Sequence, residues 1–212
     1  VFAGTQVTES GGAVSGTTVL SGGLLNVLAG GVASSVNVSS GGLVQDLGSA
    51  TQGSIDAGGG LVVFAGASAN GTTISSGGTE TVSSGGTTVS ALALGGGVLN
   101  VFGTASNTTD SGGADVVSGG TTSNTTVVSG GIEAVCGGGR SLSATLLSGG
   151  VQYVLSGGTA SNTTDLGGAD IISAVVRKKW SMPAAARRPL AAAATARVGP
   201  VKSSPARKSP EG

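Results

Sequence analysis

Short apolar runs alternate with Gly-Gly pairs along most of this chain, and the distance between pairs itself alternates. Pairs at 11–12, 22–23, 30–31 and 41–42 open the series, and pairs at 149–150, 157–158 and 167–168 close it. Long steps of 10–11 residues and short steps of 7–8 combine into a unit of about 18–19, the signature of a repeat architecture. The long segments read SGTTV (15–19), NGTTI (70–74), SNTTD (106–110), SNTTV (123–127) and SNTTD (161–165). In the short segments the fourth residue after the glycines is Val27, Asp46, Phe64, Val82, Val101, Val117, Val135, Val154 and Ile172, so eight of nine are apolar. The first position is mostly apolar too (Leu24, Leu43, Val98, Val151), while the second is often polar: Glu80, Asp115, Glu133, Gln152, Asp170. A column that is apolar once per unit suits stacked coils, because each coil hides its inner face only against its neighbours.

Glycine at intervals of 7–11 residues argues against helices, since each Gly costs a helix interior about 1 kcal/mol relative to Ala. Short segments rich in Val and Thr and bounded by Gly suit strands. The pattern therefore predicts an all-β fold, a β-solenoid of about nine to ten coils over residues 1–174. At the usual strand spacing such a stack is a rod roughly 45 Å long. The glycines are expected at corners that need positive φ. Ser, Thr and Asn recurring once per coil are expected in hydrogen-bonded ladders, with Asn70, Asn107, Asn124 and Asn162 in or near one turn.

Composition supports this reading and narrows the chemistry. Glycine is 42 of 212 residues, aromatics are 2% and charged residues 9%, far from an ordinary globular mix. A mean hydropathy of +0.33 is not the signature of a disordered chain. The single cysteine, Cys136, allows no intramolecular disulfide and reads as a small filler near a strand end. With no histidine, the commonest general base and metal ligand is missing.

The net charge of zero hides a split. Residues 1–174 hold one basic residue, Arg140, against nine acidic ones, whereas residues 175–212 hold nine basic residues against Glu211. The second segment is rich in Ala, Pro and Arg and begins where the repeat breaks, as an out-of-frame translation would; it is expected to be disordered. Arg177, Lys178, Lys179 and Trp180 suggest nucleic acid, but the abrupt junction favours a tail without function and no nucleic-acid partner.

The repeats VVSGGTTSNTTVVSGGIEAV (116–135) and VLSGGTASNTTDLGGADII (154–172) resemble the strand-loop-strand repeats of bacterial autotransporter passengers, the AIDA-like adhesins. The resemblance covers about residues 1–174. It implies a right-handed parallel β-helix displayed on the surface of a Gram-negative cell, carried there by an outer-membrane β-barrel that this sequence lacks. It further implies a stalk or adhesin acting in adhesion or autoaggregation, with host or sibling-cell receptors or glycans as partners. A heptosyltransferase acting on Ser or Thr is a further implied partner.

Candidate sites follow from the turns. The serines before the Gly-Gly pairs, Ser21, Ser40, Ser76, Ser84, Ser129, Ser148 and Ser156, are the candidate O-glycosylation sites. The sequons at Asn37, Asn70, Asn107, Asn124 and Asn162 arise from the Thr-rich composition. Asp110/Asp115 and Asp165/Asp170 recur as pairs. A calcium or acid–base role is the sharper reading, and solvated, turn-capping carboxylates the preferred one. Paired threonines such as Thr108-Thr109 and Thr125-Thr126 raise an ice-binding array. No cofactor, metal or catalytic residue is expected. The rival reading, a β-helical polysaccharide lyase or hydrolase, requires carboxylates from adjacent coils to converge on a groove.

Overall fold

The computed structural model describes residues 4–173; the basic tail and its expected disorder lie outside them. The described residues are all-β and contain no helix. They form 28 strands in three parallel sheets of ten, nine and nine. One coil shows the path: Leu24–Val27 lies in the first sheet, Val32–Ser34 in the second and Asn37–Val38 in the third. The chain then returns to the first sheet at Leu43–Asp46, pairing Leu24 with Leu43. The expected solenoid is the structure.

Two corners carry the Gly-Gly pairs, one between the first and second sheets and one between the third and first. Their backbones join the ladder: Gly22 N donates to Gly41 O (3.0 Å), Gly41 N to Gly58 O (2.8 Å) and Gly58 N to Gly77 O (2.8 Å). The two glycines of a pair serve different purposes. Gly149 has φ +81°, the left-handed conformation that favours glycine. Gly150 has no such φ, but a Cβ there would run into the Val127 carbonyl of the preceding coil. Positive φ, the expected reason, thus explains the first glycine of this pair, and close approach between coils explains the second.

The first corner has two lengths. Four residues, 28–31, separate Leu24–Val27 from Val32–Ser34, while only Leu47 and Gly48 separate Leu43–Asp46 from Ser49–Thr51. That difference makes the repeat degenerate in sequence while the stack stays in register. Between the second and third sheets a single left-handed residue turns the chain. Asn107, Asn124 and Asn162 occupy it with φ of 54°, 55° and 57°. Asn70 stands one residue earlier, with Gly71 in the turn. Asn124 Nδ2 donates to Asn107 Oδ1 (3.3 Å), one rung of the expected ladder.

Strand alternation decides which side chains enter the core, and it corrects two sequence expectations. The first-sheet strands bury their second and fourth positions and leave the first and third half-exposed. The fourth-position column is inward, as expected, but Gly60 is itself a strand residue and pairs with Leu43 and Thr79. Val63, fully buried, therefore fills the column, and Phe64 lies just past the strand. The polar second position also faces the core: Glu80, Asp115, Glu133 and Gln152 share one column with Leu25, Val44, Leu61 and Leu99.

Candidate functional site

The seven candidate serines are all exposed. Ser21, Ser40, Ser76, Ser129 and Ser148 stand at the corner leading into the first sheet, and Ser84 and Ser156 at the corner leaving it. Consecutive coils stack them closely, since a Cβ on Gly41 would lie 2.8 Å from Ser21 Oγ and one on Gly58 2.8 Å from Ser40 Oγ. The first sheet is thus bordered by hydroxyls on both edges. The five sequon asparagines are exposed as well. The threonine pairs split, Thr108 and Thr125 inward and Thr109 and Thr126 outward, so they build no two-column outer array.

Asp165 caps its turn as expected, accepting from Gly167 N (3.0 Å) and Gly168 N (2.8 Å). Asp110 and Asp115 do not. Both are fully buried, and the solvated reading is overturned for them. Asp110 stacks between Ala93 and Val127 on the third sheet, and Asp115 between Leu99 and Glu133 on the first. The geometry follows from the repeat, because SNTTD aligns its Asp with the inward Val of SNTTV.

Two kinds of buried polar group result. Around Glu133 the network is well partnered. Thr122 Oγ1 donates to Glu133 Oε1 (2.6 Å), and Ser141 Oγ (2.9 Å) and Gln152 Nε2 (2.6 Å) donate to Oε2. Thr163 Oγ1 in turn donates to Gln152 Oε1 (3.1 Å). Such satisfaction is what a buried polar group requires. Replacing Glu133 by Ala leaves Ser141 Oγ without its acceptor and Thr122 Oγ1 with only the Arg140 carbonyl at 3.5 Å, while Gln152 Nε2 keeps Ser141 Oγ at 3.0 Å. Each buried group left unsatisfied costs about 1–3 kcal/mol. The expected result is a loss of roughly 3 kcal/mol or more, read as a lower urea midpoint. Glu133→Gln should cost much less, and an unchanged midpoint for Glu133→Ala would contradict the network.

The other carboxyls are poorly partnered. Neither oxygen of Glu80 or Asp110 meets hydrogen-bond geometry with a neighbour. Burial pushes Glu80 up to about 7, against weaker help from Thr88. Burial likewise pushes Asp46 up to about 6, although Gly48 N donates to its Oδ1 (2.9 Å). Asp110 and Asp115 are both raised, first by burial, and Asp115 adds its charge against Asp110. Thr108 Oγ1 donates to Asp115 Oδ2 (2.8 Å), which offsets part of that rise. Among the described residues no group of three or more acidic, Cys or His side chains is placed to hold a metal ion. The carboxyls that converge do so in the lumen, where no polymer reaches them.

These features define a parallel β-solenoid with hydroxyl-edged corners and a partly acidic lumen. No protein-family model and no curated protein sequence matches the chain. Among solved structures, the crystal structure of the TibC-catalysed, hyper-glycosylated TibA55-350 fragment is similar, with 37% identity and a TM-score of 0.79. The match covers 80% of this chain, and the chain spans 64% of the length of that fragment. TibA is an autotransporter adhesin, and the fragment belongs to its passenger. The repeats described here are similar to those of this autotransporter-passenger fragment.

Proposed function

We propose that the chain is part of a surface-displayed autotransporter passenger, a structural stalk and adhesive surface whose corner serines carry O-linked sugar. The observation that carries this reading is the exposure of all seven corner serines on a fold that matches a hyper-glycosylated passenger fragment at 37% identity. A stack with its backbone paired from coil to coil makes a rigid spacer, and the exposed hydroxyls give a transferase repeated, equivalent acceptors. Export through an outer membrane and contact with receptors or glycans of host or sibling cells follow from the same reading. The polysaccharide-enzyme alternative is disfavoured, since Asp110 and Asp115 are sealed in the lumen.

Co-expression with TibC, followed by peptide mapping, tests the proposal. Sugar is expected on the corner serines, and Ser→Ala at Ser21, Ser40, Ser76, Ser129 and Ser148 should remove most of the added mass. An unmodified chain, or sugar confined to other residues, would contradict it.

A further inference from the structure

Each strand of the second sheet turns its first and third residues outward, and toward the C-terminal coils these are mostly hydroxyls. Thr104 pairs with Thr121, and Ser106 with Ser123. Arg140–Leu142 follows, with Arg140 between Thr121 and Thr159 and Leu142 between Ser123 and Ser161. Arg140 is exposed, and it is the only basic residue of residues 1–174. No acidic residue stands in the outward columns of this sheet. The carboxyls nearer the surface lie elsewhere: Glu9 and Asp56 follow the strands Thr5–Thr8 and Ser54–Ile55, Asp165 is on the third sheet and Asp170 on the first. Glu133, in the strand just before Arg140, faces the lumen and is held there by Thr122 and Ser141. The guanidinium therefore has hydroxyl neighbours and no carboxylate on its own face.

We infer that Arg140, with Thr121 and Thr159 beside it, binds the carboxylate of an acidic sugar. The inference deepens the passenger reading, on which it rests, by naming a ligand for the adhesive surface. A guanidinium presents a planar fork of donors that a carboxylate matches with two parallel hydrogen bonds. Thr121 and Thr159 stand one strand away on either side, about 4.8 Å in the backbone, within reach of the same ligand. Their hydroxyls, and those of Ser123 and Ser161, both donate and accept, which suits the many hydroxyls of a sugar ring. The charge supplies the attraction and the hydroxyl columns the remaining partners. Other occupants suit the face less well. A peptide needs apolar pockets or a free strand edge, and a nucleic acid needs a cluster of cations. This face has one cation, in the middle of a fully paired sheet.

The test is an amide NMR titration of the full chain with sialyllactose and with a glucuronic-acid disaccharide, and with lactose as the neutral control. Shifts are expected at Thr121, Arg140 and Thr159, saturating at roughly 0.1–10 mM, the range of one exposed ion pair with a few hydrogen bonds. A response to either acidic sugar supports the site, and lactose should bind about tenfold more weakly. Arg140→Gln should weaken the acidic sugars about fivefold or more. Arg140→Lys keeps the charge but loses the fork, and should cost a smaller factor. The pair Thr121→Val and Thr159→Val, with Arg140 intact, should weaken binding about twofold or more. The same spectra report whether each variant is folded, and the native titration decides even if one is not. No shift with either acidic sugar, shifts confined to residues 175–212, or binding unchanged in Arg140→Gln overturns the site. None of these outcomes touches the passenger reading, which stands or falls with sugar on the corner serines.

Discussion

Raising the pH from about 5 to 8 should destabilise the solenoid by several kcal/mol, because its core holds carboxyls that fold in the protonated form. In an unfolded chain Asp ionises near 3.8 and Glu near 4.5, whereas in the lumen Asp46 rises to about 6 and Glu80 to about 7. Between these limits the folded state keeps protons that the unfolded state has released. Higher pH then favours unfolding. Each pKa unit is worth about 1.4 kcal/mol, so Glu80 alone accounts for about 3 kcal/mol. Asp110 and Asp115 act in the same direction, and Asp170, half-exposed on the last described coil, adds little. Folded domains have only about 5–15 kcal/mol in total, so the thermal midpoint should fall visibly across this window. Glu80→Leu would continue the apolar column of Leu61 and Leu99. It should recover about 3 kcal/mol at pH 8 relative to its effect at pH 4. Equal midpoints for the native chain at pH 5 and 8 would refute the acidic lumen.

Gly150→Ala should be nearly as damaging, at about 3 kcal/mol, the upper end for forcing atoms into a packed site. The added methyl meets the backbone carbonyl of Val127, which cannot rotate away as a side chain would. The neighbouring Gly149→Ala has more room, with its nearest atom, Gly130 N, at 3.5 Å, but a positive φ. Its cost is conformational, about 1–2 kcal/mol. At one coil of the corner between the first and second sheets Ala67 occupies the second-glycine place after Gly66 and is buried there, whereas at Gly139 and Gly158 of the same corner a Cβ would run into the Val117 and Val135 carbonyls. Urea denaturation of the two single variants checks the ordering, and an equal or reversed effect would mean that the coils are less closely stacked at that corner.

The coil was legible because the glycines mark its corners at fixed intervals, and the inward fourth position survives wherever flanking letters vary. Phe64 was misplaced by one residue because the triplet 58–60 gives a glycine to the strand, which only pairing reveals. Glu80, Asp115 and Glu133 pointed inward by the same alternation that buries Val82, Val117 and Val135 two residues later. Their polarity masked that signal, since acidic side chains are almost never fully buried without a partner. The partners explain part of the exception: Thr122, Ser141 and Gln152 come from three coils and meet at Glu133 only when the chain is stacked. The serine edges were legible throughout, because each precedes a glycine whose turn projects it outward.

Carbon-13 NMR of the Glu80 side-chain carboxyl, followed through a pH titration of the folded chain, tests the acidic lumen most directly. A midpoint near 7 is the predicted result. A Glu80 midpoint near 4.5, the ordinary glutamate value, would place that side chain in water and contradict the inward column on which the account rests.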